Sequence, residues 1–267
     1  VKRKPGAAFA CGSFTCTPFG SAREAVEHVL NKEKPLIVAL GESHAQKGDP
    51  KVPSTTARFT EQLLGLFRGN ASAMVLELWI PDGSCDKKTE AKVAQQQKEV
   101  TKNQAEENPN EFVKLGQASK EAGITPYILR PSCSEVETIK NAGEDAVLKM
   151  LDMITLSMQD KVKKQFALAQ KSSPPKMVLT YGGAMHNDRV PKAGREQWSF
   201  AAELERLSSN RYLELDLIVP EFIKDNSSWQ ALPWYPAYQP EENSEVNLLI
   251  ETAPRSYALI FARTPAP

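Results

Sequence analysis

The sequence predicts an α/β fold, layered around a mostly parallel central sheet that is flanked by helices and ends in a C-terminal strand pair. Three observations carry that expectation. The runs LIVAL (36–40), AMVLELW (73–79) and KMVLTY (176–181) are short, continuous and apolar, as strands buried on both faces are. Stretches of helical period alternate with them from Leu36 to Val219, the signature of a layered α/β sheet. Pro35, Gly41, Pro174-Pro175 and Gly182-Gly183 punctuate the boundaries. A chain of 267 residues suits one substantial hydrophobic core, so 1–20 reads as an N-terminal lead segment and 21–267 as a single α/β domain.

Taken in order, the lead carries a basic start, VKRKPG, which is expected to fray. Ser21 and Glu24 then form a capping box for the helix SAREAVEHVLNKE, with Ala25, Val26, Val29 and Leu30 as its apolar stripe. After LIVAL, residues 54–69 read as a helix with Phe59, Leu63, Leu66 and Phe67 facing inward. The polar stretch 86–108 follows the strand AMVLELW and has almost no large apolar residue, so it is either an exposed helix or part of a mobile lid. Residues 108–123 resume a helix that Gly123 closes, and ITPYILR (124–130) is a strand that Pro126 either places at an edge or delays until after it. The longest helical stretch, 144–171, carries Val147, Leu148, Leu151, Ile154, Leu156, Met158, Val162, Phe166 and Leu168. A helix near 196–207 and the strand RYLELDLIV (211–219) come next. VNLLIET (246–252) and SYALIFAR (256–263) form a hairpin or two adjacent strands, preceded by the short acidic loop PEENSE (240–245).

Charge and composition narrow the partners. Hydrophobic residues at 41% and charged residues at 25% describe a globular chain, and 33 basic against 33 acidic residues leave no bulk attraction for nucleic acid. No apolar run is long enough to span a bilayer, and no secretory h-region follows Val1–Lys4. Cys11, Cys16, Cys85 and Cys133 lack zinc-knuckle spacing. They read either as two disulfides, Cys11–Cys16 and Cys85–Cys133, which favour an extracytoplasmic location, or as four free thiols in a cytoplasmic protein.

Chemistry is expected beyond the carboxyl ends of the strands, where open α/β sheets bind ligands. LIVAL runs into Gly41-Glu42-Ser43-His44, Glu77 lies near the end of AMVLELW, and KMVLTY runs into Gly182-Gly183-Ala184-Met185-His186. Two of only three histidines thus follow core strands, while His28 belongs to a surface helix. Glu42 and Glu77 suit general bases or carboxylates that orient an imidazole; His44 and His186 suit base, acid or metal ligand. His44, Glu77 and His186 are also a chemically suitable set for Zn²⁺, Mn²⁺ or iron. Ser43 is a poor nucleophile, because GESHA lacks the glycine that a G-x-S-x-G elbow requires. Phosphate and dinucleotide glycine motifs are absent. Arg58, Arg130, Asp188 and Arg189 are candidates to bind substrate at the same rim, although an ordinary surface ion pair explains any one of the arginines equally well. SSWQALPWYPAYQP (227–240), with Trp234 and Tyr235, either walls a planar ligand or straps the sheet.

LIVALGESHAQKGD and VLTYGGAMHND resemble the two G-x-x-H-type elements of the group that contains erythromycin esterases, Tiki/TraB proteins and ChaN-like haem-uptake proteins, and VLELW resembles its strand with an additional glutamate. The resemblance covers roughly 36–188. It implies that Glu42, His44, Glu77 and His186 meet in one pocket. Its esterases imply metal-free water activation by His and Glu, its Tiki-like members a metal-dependent peptidase, and its ChaN-like members a haem-binding lipoprotein anchored upstream of this chain. GESHA departs from the G-E-x-x-H-G of the esterases. The leading expectation is a hydrolase of an ester or amide in a small molecule or peptide; the alternatives are haem or metal binding for iron uptake without turnover, and a catalytically silent interaction domain.

Overall fold

The computed structural model describes residues 4–47 and 52–265; Val1–Arg3 of the basic start, and the glycine and aspartate that end the first motif, lie outside them. The chain runs β1 (Phe9–Cys11), β2 (Phe14–Phe19), α1 (Ala22–Glu33), β3 (Ile37–Glu42), α2 (Thr55–Arg58), β4 (Ala71–Trp79), α3 (Lys87–Val100), α4 (Asn108–Glu121) and β5 (Thr125–Leu129). It continues with α5 (Cys133–Asn141), α6 (Ala146–Ala169), β6 (Met177–Gly183), α7 (Ala201–Leu207), β7 (Tyr212–Ile218), α8 (Pro220–Ile223), α9 (Ser227–Gln230), α10 (Tyr235–Tyr238), α11 (Pro240–Asn243), β8 (Asn247–Ala253) and β9 (Ser256–Ile260). All strands join one sheet in the order β1-β2-β8-β9-β7-β3-β6-β4-β5. From β9 to β5 every pairing is parallel, whereas β8 pairs antiparallel with β9 and with β2, and β1 pairs antiparallel with β2.

The sheet separates two layers. Val38, Leu40, Phe59, Phe112, Tyr181 and Leu215 belong to one core under α1, α2 and α4, and Ile37, Ala39, Val178, Met158, Val162 and Phe200 to a second under α6 and α7. β3 contributes to both, which is why its sequence is continuously apolar instead of alternating. Phe59 stacks at 5.0 Å on Tyr181, and Phe112 meets the same ring edge-on at 5.6 Å. Burying each such ring contributes roughly 2–3 kcal/mol before entropy is charged.

Local signals place several elements. Ser21 and Glu24 close their capping box, each backbone N–H meeting the other side chain at 3.2 Å. Gly123 sits at φ +78, the left-handed turn expected after α4. Pro126 lies in β5 at the sheet edge, where a missing N–H costs least. The polar stretch from 86 is the helix α3, capped by Asp86, whose Oδ1 accepts from the N–H of Lys88 and Thr89 at 2.9 Å. Val93 is its buried apolar anchor.

Three readings change, and one helix is added to them. The lead is part of the sheet: residues 9–19 form β1 and β2, and Cys16 is wholly buried in a third core with Ile218, Leu248 and Ile260. Residues 55–67 are helical, but a π turn at Phe59–Leu63 and a 3₁₀ turn at Leu64–Phe67 follow α2, so Leu64 is buried as well, while Leu66 packs on the same core only partly buried. The inner face of α6 is Met150, Met153, Ile154, Met158, Val162 and Phe166, while Val147, Leu148, Leu156 and Leu168 are exposed. The added helix is α5, which opens on a capping box in which the Ser132 N–H meets Glu135 Oε2 at 2.7 Å.

All four cysteines are bridged, Cys11 to Cys16 and Cys85 to Cys133. The second bridge ties the loop after β4 to the first residue of α5. Among the described residues no helix is long and apolar enough to cross a membrane.

The Cys85–Cys133 bridge closes a loop of 48 residues and Cys11–Cys16 one of 5. Chain entropy therefore predicts that the Cys85→Ser/Cys133→Ser pair loses about 4 kcal/mol of stability, roughly twice the loss from Cys11→Ser/Cys16→Ser, to be measured by urea unfolding.

Candidate functional site

Glu42 is the last residue of β3, and in the sheet register it lies opposite Gly183 of β6; on the far side of β6, Leu76 of β4 pairs with Tyr181, which brings Glu77 beside Gly182. His44 follows β3 by two residues, and His186 ends the turn after β6. The four residues therefore stand at the carboxyl ends of three adjacent parallel strands.

Glu42 is the most deeply buried of them, with a side chain 2% exposed. A carboxylate so placed requires donors, and it has three: His44 Nδ1 at 2.6 Å on Oε1, and Tyr181 OH at 2.6 Å and Thr56 Oγ1 at 2.8 Å on Oε2. Burial pushes the Tyr181 hydroxyl well above its ordinary range, and the adjacent Glu42 charge adds to this, so the phenol remains a donor. His44 is 27% exposed. Burial acts to lower its pKa, but the hydrogen bond and charge of Glu42, with the charge of Glu77, outweigh that and hold it above the ordinary imidazole value.

With Nδ1–H given to Glu42, the neutral His44 ring carries its lone pair on Nε2. That atom lies 3.2 Å from the point a Cβ on Gly183 would occupy, and Glu77 Oε2 lies 3.6 Å from the same point. The two groups face one small space that exists because residue 183 has no side chain. At Gly182 a Cβ would collide with Glu77 itself, 2.7 Å from its own Cβ. The glycine pair is a spatial requirement of the carboxylate.

His186, with a side chain 5% exposed, is fixed through Nδ1, 2.9 Å from Thr155 Oγ1 of α6 and 3.0 Å from the Trp198 carbonyl. The carbonyl can only accept, so Nδ1 bears the hydrogen and Nε2 faces Glu77 Oε1 at 3.7 Å. Glu77 Oε2 accepts the Gly183 N–H at 2.6 Å. The site thus consists of a Glu42–His44 pair and a Glu77–His186 pair, joined across Gly183.

The loop after His44 is held by the segment that follows α3. Ala105 N–H donates to Ala45 O at 2.8 Å, Lys47 N–H to Asn103 O at 3.0 Å and Asn108 Nδ2 to Ala45 O at 3.2 Å. Ser43 is buried and structural: its carbonyl accepts from Thr55 Oγ1 at 2.8 Å and its hydroxyl accepts from Val219 N–H at 3.3 Å. Exposed on α1, His28 stacks on Phe19 at 5.5 Å.

The residues expected to bind substrate are scattered. Arg58 is buried and donates to Ala262 O at 3.1 Å and Thr264 Oγ1 at 2.7 Å, over the Phe261 ring; it clamps the C-terminal segment. Arg130 is exposed after β5. Arg189 pairs with Glu205, and its N–H donates to Glu214 at 2.9 Å. Asp188 is half-buried and accepts from the Val190 N–H at 2.8 Å. Trp234 is buried in the third core with Tyr235 beside it, so the aromatic segment is a strap over the β8–β9 margin and not a wall of this site. For the expected metal ligands His44, Glu77 and His186, the described residues contain no group of three or more His, Cys, Asp or Glu side chains arranged to hold an ion.

Tyr181, Thr56 and Thr155 carried no signal in the sequence; an acid pair on β7, Glu214 buried and Asp216 half-buried, also belongs to the surroundings of the site. Glu214 and Asp216 share a strand face at the spacing of two in YLELDLI, which was the available signal. Asn187, next to His186, donates through Nδ2 to Ala39 O at 3.2 Å and to Asp216 Oδ1 at 3.3 Å, and Tyr212 OH donates to Asn187 O at 2.8 Å. The acid pair thereby anchors the turn that carries His186. Burial, reinforced by Asp188, raises Glu214 to about 7 against the opposing Arg189 N–H, and burial with Glu214 and Asp188 raises Asp216 strongly.

Comparisons with family models, with curated proteins and with solved structures give no match to this chain.

The acid pair makes a pH prediction. The carboxyl of Glu214 rises from 4.5 unfolded to about 7 folded, so its contribution to stability is complete below 4.5 and is lost as pH climbs through about 7. Glu214→Gln should flatten the stability curve over that window, by at most on the order of 3 kcal/mol, when urea midpoints at pH 5 and pH 8 are compared with the wild type.

Proposed function

We propose that the chain is a hydrolase that activates water with paired His and Glu residues and cleaves an ester or amide bond. The observation that carries this reading is the convergence of His44 Nε2 and Glu77 Oε2 on the space above Gly183. A water there meets a neutral imidazole whose other nitrogen is bonded to a buried carboxylate, the arrangement that makes a histidine an effective base. His44 takes one proton from the water, and Glu42 stabilises the resulting imidazolium. The oxygen attacks the carbonyl carbon, and the leaving oxygen or nitrogen receives a proton from the Glu77–His186 pair. In that pair His186 Nε2 faces Glu77 Oε1 at 3.7 Å. His44 returns its proton to the pair when the acid and the alcohol or amine depart. The donor set does not gather as metal ligands, so no step is routed through a metal. The two disulfides support an extracytoplasmic location.

A screen of simple esters and amides tests this reading. His44→Ala should lower kcat by about 10²–10⁴. As a general base His44 must be neutral, so wild-type activity should rise with pH through a limb above the ordinary imidazole value. In Glu42→Gln the raising charge and hydrogen bond are gone while burial remains, so the limb should move to lower pH as kcat falls. Hydrolysis that survives His44→Ala unchanged would sink the reading.

Tyr181→Phe removes one of the three Glu42 donors and leaves the ring stack intact. It should cost about 1–3 kcal/mol of stability and shift the same pH limb, measured by thermal unfolding and by the rate profile.

A further inference from the structure

Two clefts flank the site on the carboxyl edge of the sheet, and they differ in chemistry. One, of about 430 Å³, lies beyond β7 and beside the loop that follows His44, and is lined by Gln46, Lys47, Asn103, Glu221, Lys224 and Asp225 among others. Its two lysines and two acids balance, and Gln46, Asn103 and Asn226 add amides. The other, of about 310 Å³, lies at the end of β4 two residues past Glu77, where Trp79 and Pro81 face Ala91, Val93 and Ala94 of α3, with Lys87, Glu90 and Gln97 of the same helix completing the lining. Trp79 is half-buried and packs on the α6 side of the sheet, and Val93 closes the floor. Both volumes fall in the range that takes part of a small ligand.

We infer that the substrate of this site is amphipathic: an ester or amide with an apolar arm in the Trp79 groove and a neutral, hydrogen-bonding arm in the cleft beside Lys47 and Lys224. This rests on the hydrolytic reading above and names the substrate class for it. Gln46 and Lys47 of the first cleft follow His44 in the chain, and Trp79 of the second follows Glu77, so each cleft adjoins one half of the site. A substrate with only one arm forgoes the contacts of the other cleft. The balanced charges disfavour a strongly anionic or cationic head, which would leave one pair of side chains unmatched.

The test compares glucose esters of acetate and decanoate, together with methyl decanoate, on wild type, Trp79→Ala and the double variant Asn103→Leu/Lys224→Leu. Wild type should prefer decanoyl to acetyl glucose at least about tenfold in kcat/KM, and Trp79→Ala should erase that preference by lowering the decanoyl rate far more than the acetyl rate. The double variant should raise KM about tenfold for the glucose esters, and by much less for methyl decanoate. Octyl glucoside, which has no ester bond, supplies a readout without turnover: below its micelle concentration it should quench tryptophan fluorescence in wild type and not in Trp79→Ala, with Trp79→Phe keeping part of the binding. His44-dependent cleavage without any preference for chain length would overturn the amphipathic substrate and leave the hydrolase standing. Trp79-dependent binding of octyl glucoside without cleavage of any ester would support the two-cleft ligand and remove the hydrolase.

Discussion

The Glu42 carboxylate, lodged at the end of the central strand with almost no contact with water, is the constraint on which the site depends. Removing such a group from solvent costs several kcal/mol, and leaving it without donors costs more. Its three donors come from three parts of the chain: the loop that leaves β3, the first turn of α2 and the interior of β6. Each donor is fixed for a reason of its own. Thr56 sits beside Thr55, which holds the Ser43 carbonyl, and Tyr181 is wedged between Phe59 and Phe112. The carboxylate and the aromatic core therefore stabilise one another, and the orientation of His44 follows from both.

Around that carboxylate the end of the parallel sheet supplies close approach more than bulk. At Gly41 a Cβ would run into Asp216 Oδ1 and stand 2.8 Å from Ala184 Cα, so the turn after β6 lies directly on β3 only because residue 41 is glycine. Asn187 and Tyr212 then tie that turn to β3 and β7. The acid pair beneath it belongs to the same support, and its raised proton affinity follows from having like charges and little water nearby. On the open side, residues 103–108 hold the loop after His44 by backbone pairing, which needs no apolar side chains. A segment with so polar a composition can still be well placed.

Much of the side-chain chemistry at the margins is structural. Arg58 clamps the C-terminal segment, Trp234 and Tyr238 seal the antiparallel margin, and the Cys11–Cys16 bridge closes the outermost hairpin. An arginine or a tryptophan in a sequence carries the same chemistry whether it faces ligand or core; what it touches is decided by segments some 200 residues distant, as in the contact of Arg58 with Thr264.

The sequence by itself determined the parallel centre, the C-terminal strand pair, the capping box of α1 and the four strand-end residues, because each depends on contacts within a few residues or on a simple period. Continuous apolar strands mean burial on both faces, and a strand that ends in glycine beside an acid or a histidine means a rim. Only the tertiary structure decided that β1 and β2 extend the sheet, that Leu64 is buried after a π turn, that α6 turns Met150 and Met153 inward, that Tyr181 and Thr56 hold the Glu42 carboxylate, and that Thr155 holds the His186 imidazole. Those outcomes depend on which distant groups arrive beside a buried charge. Desolvation and packing act on the folded surface, and no local spacing records what lies across it.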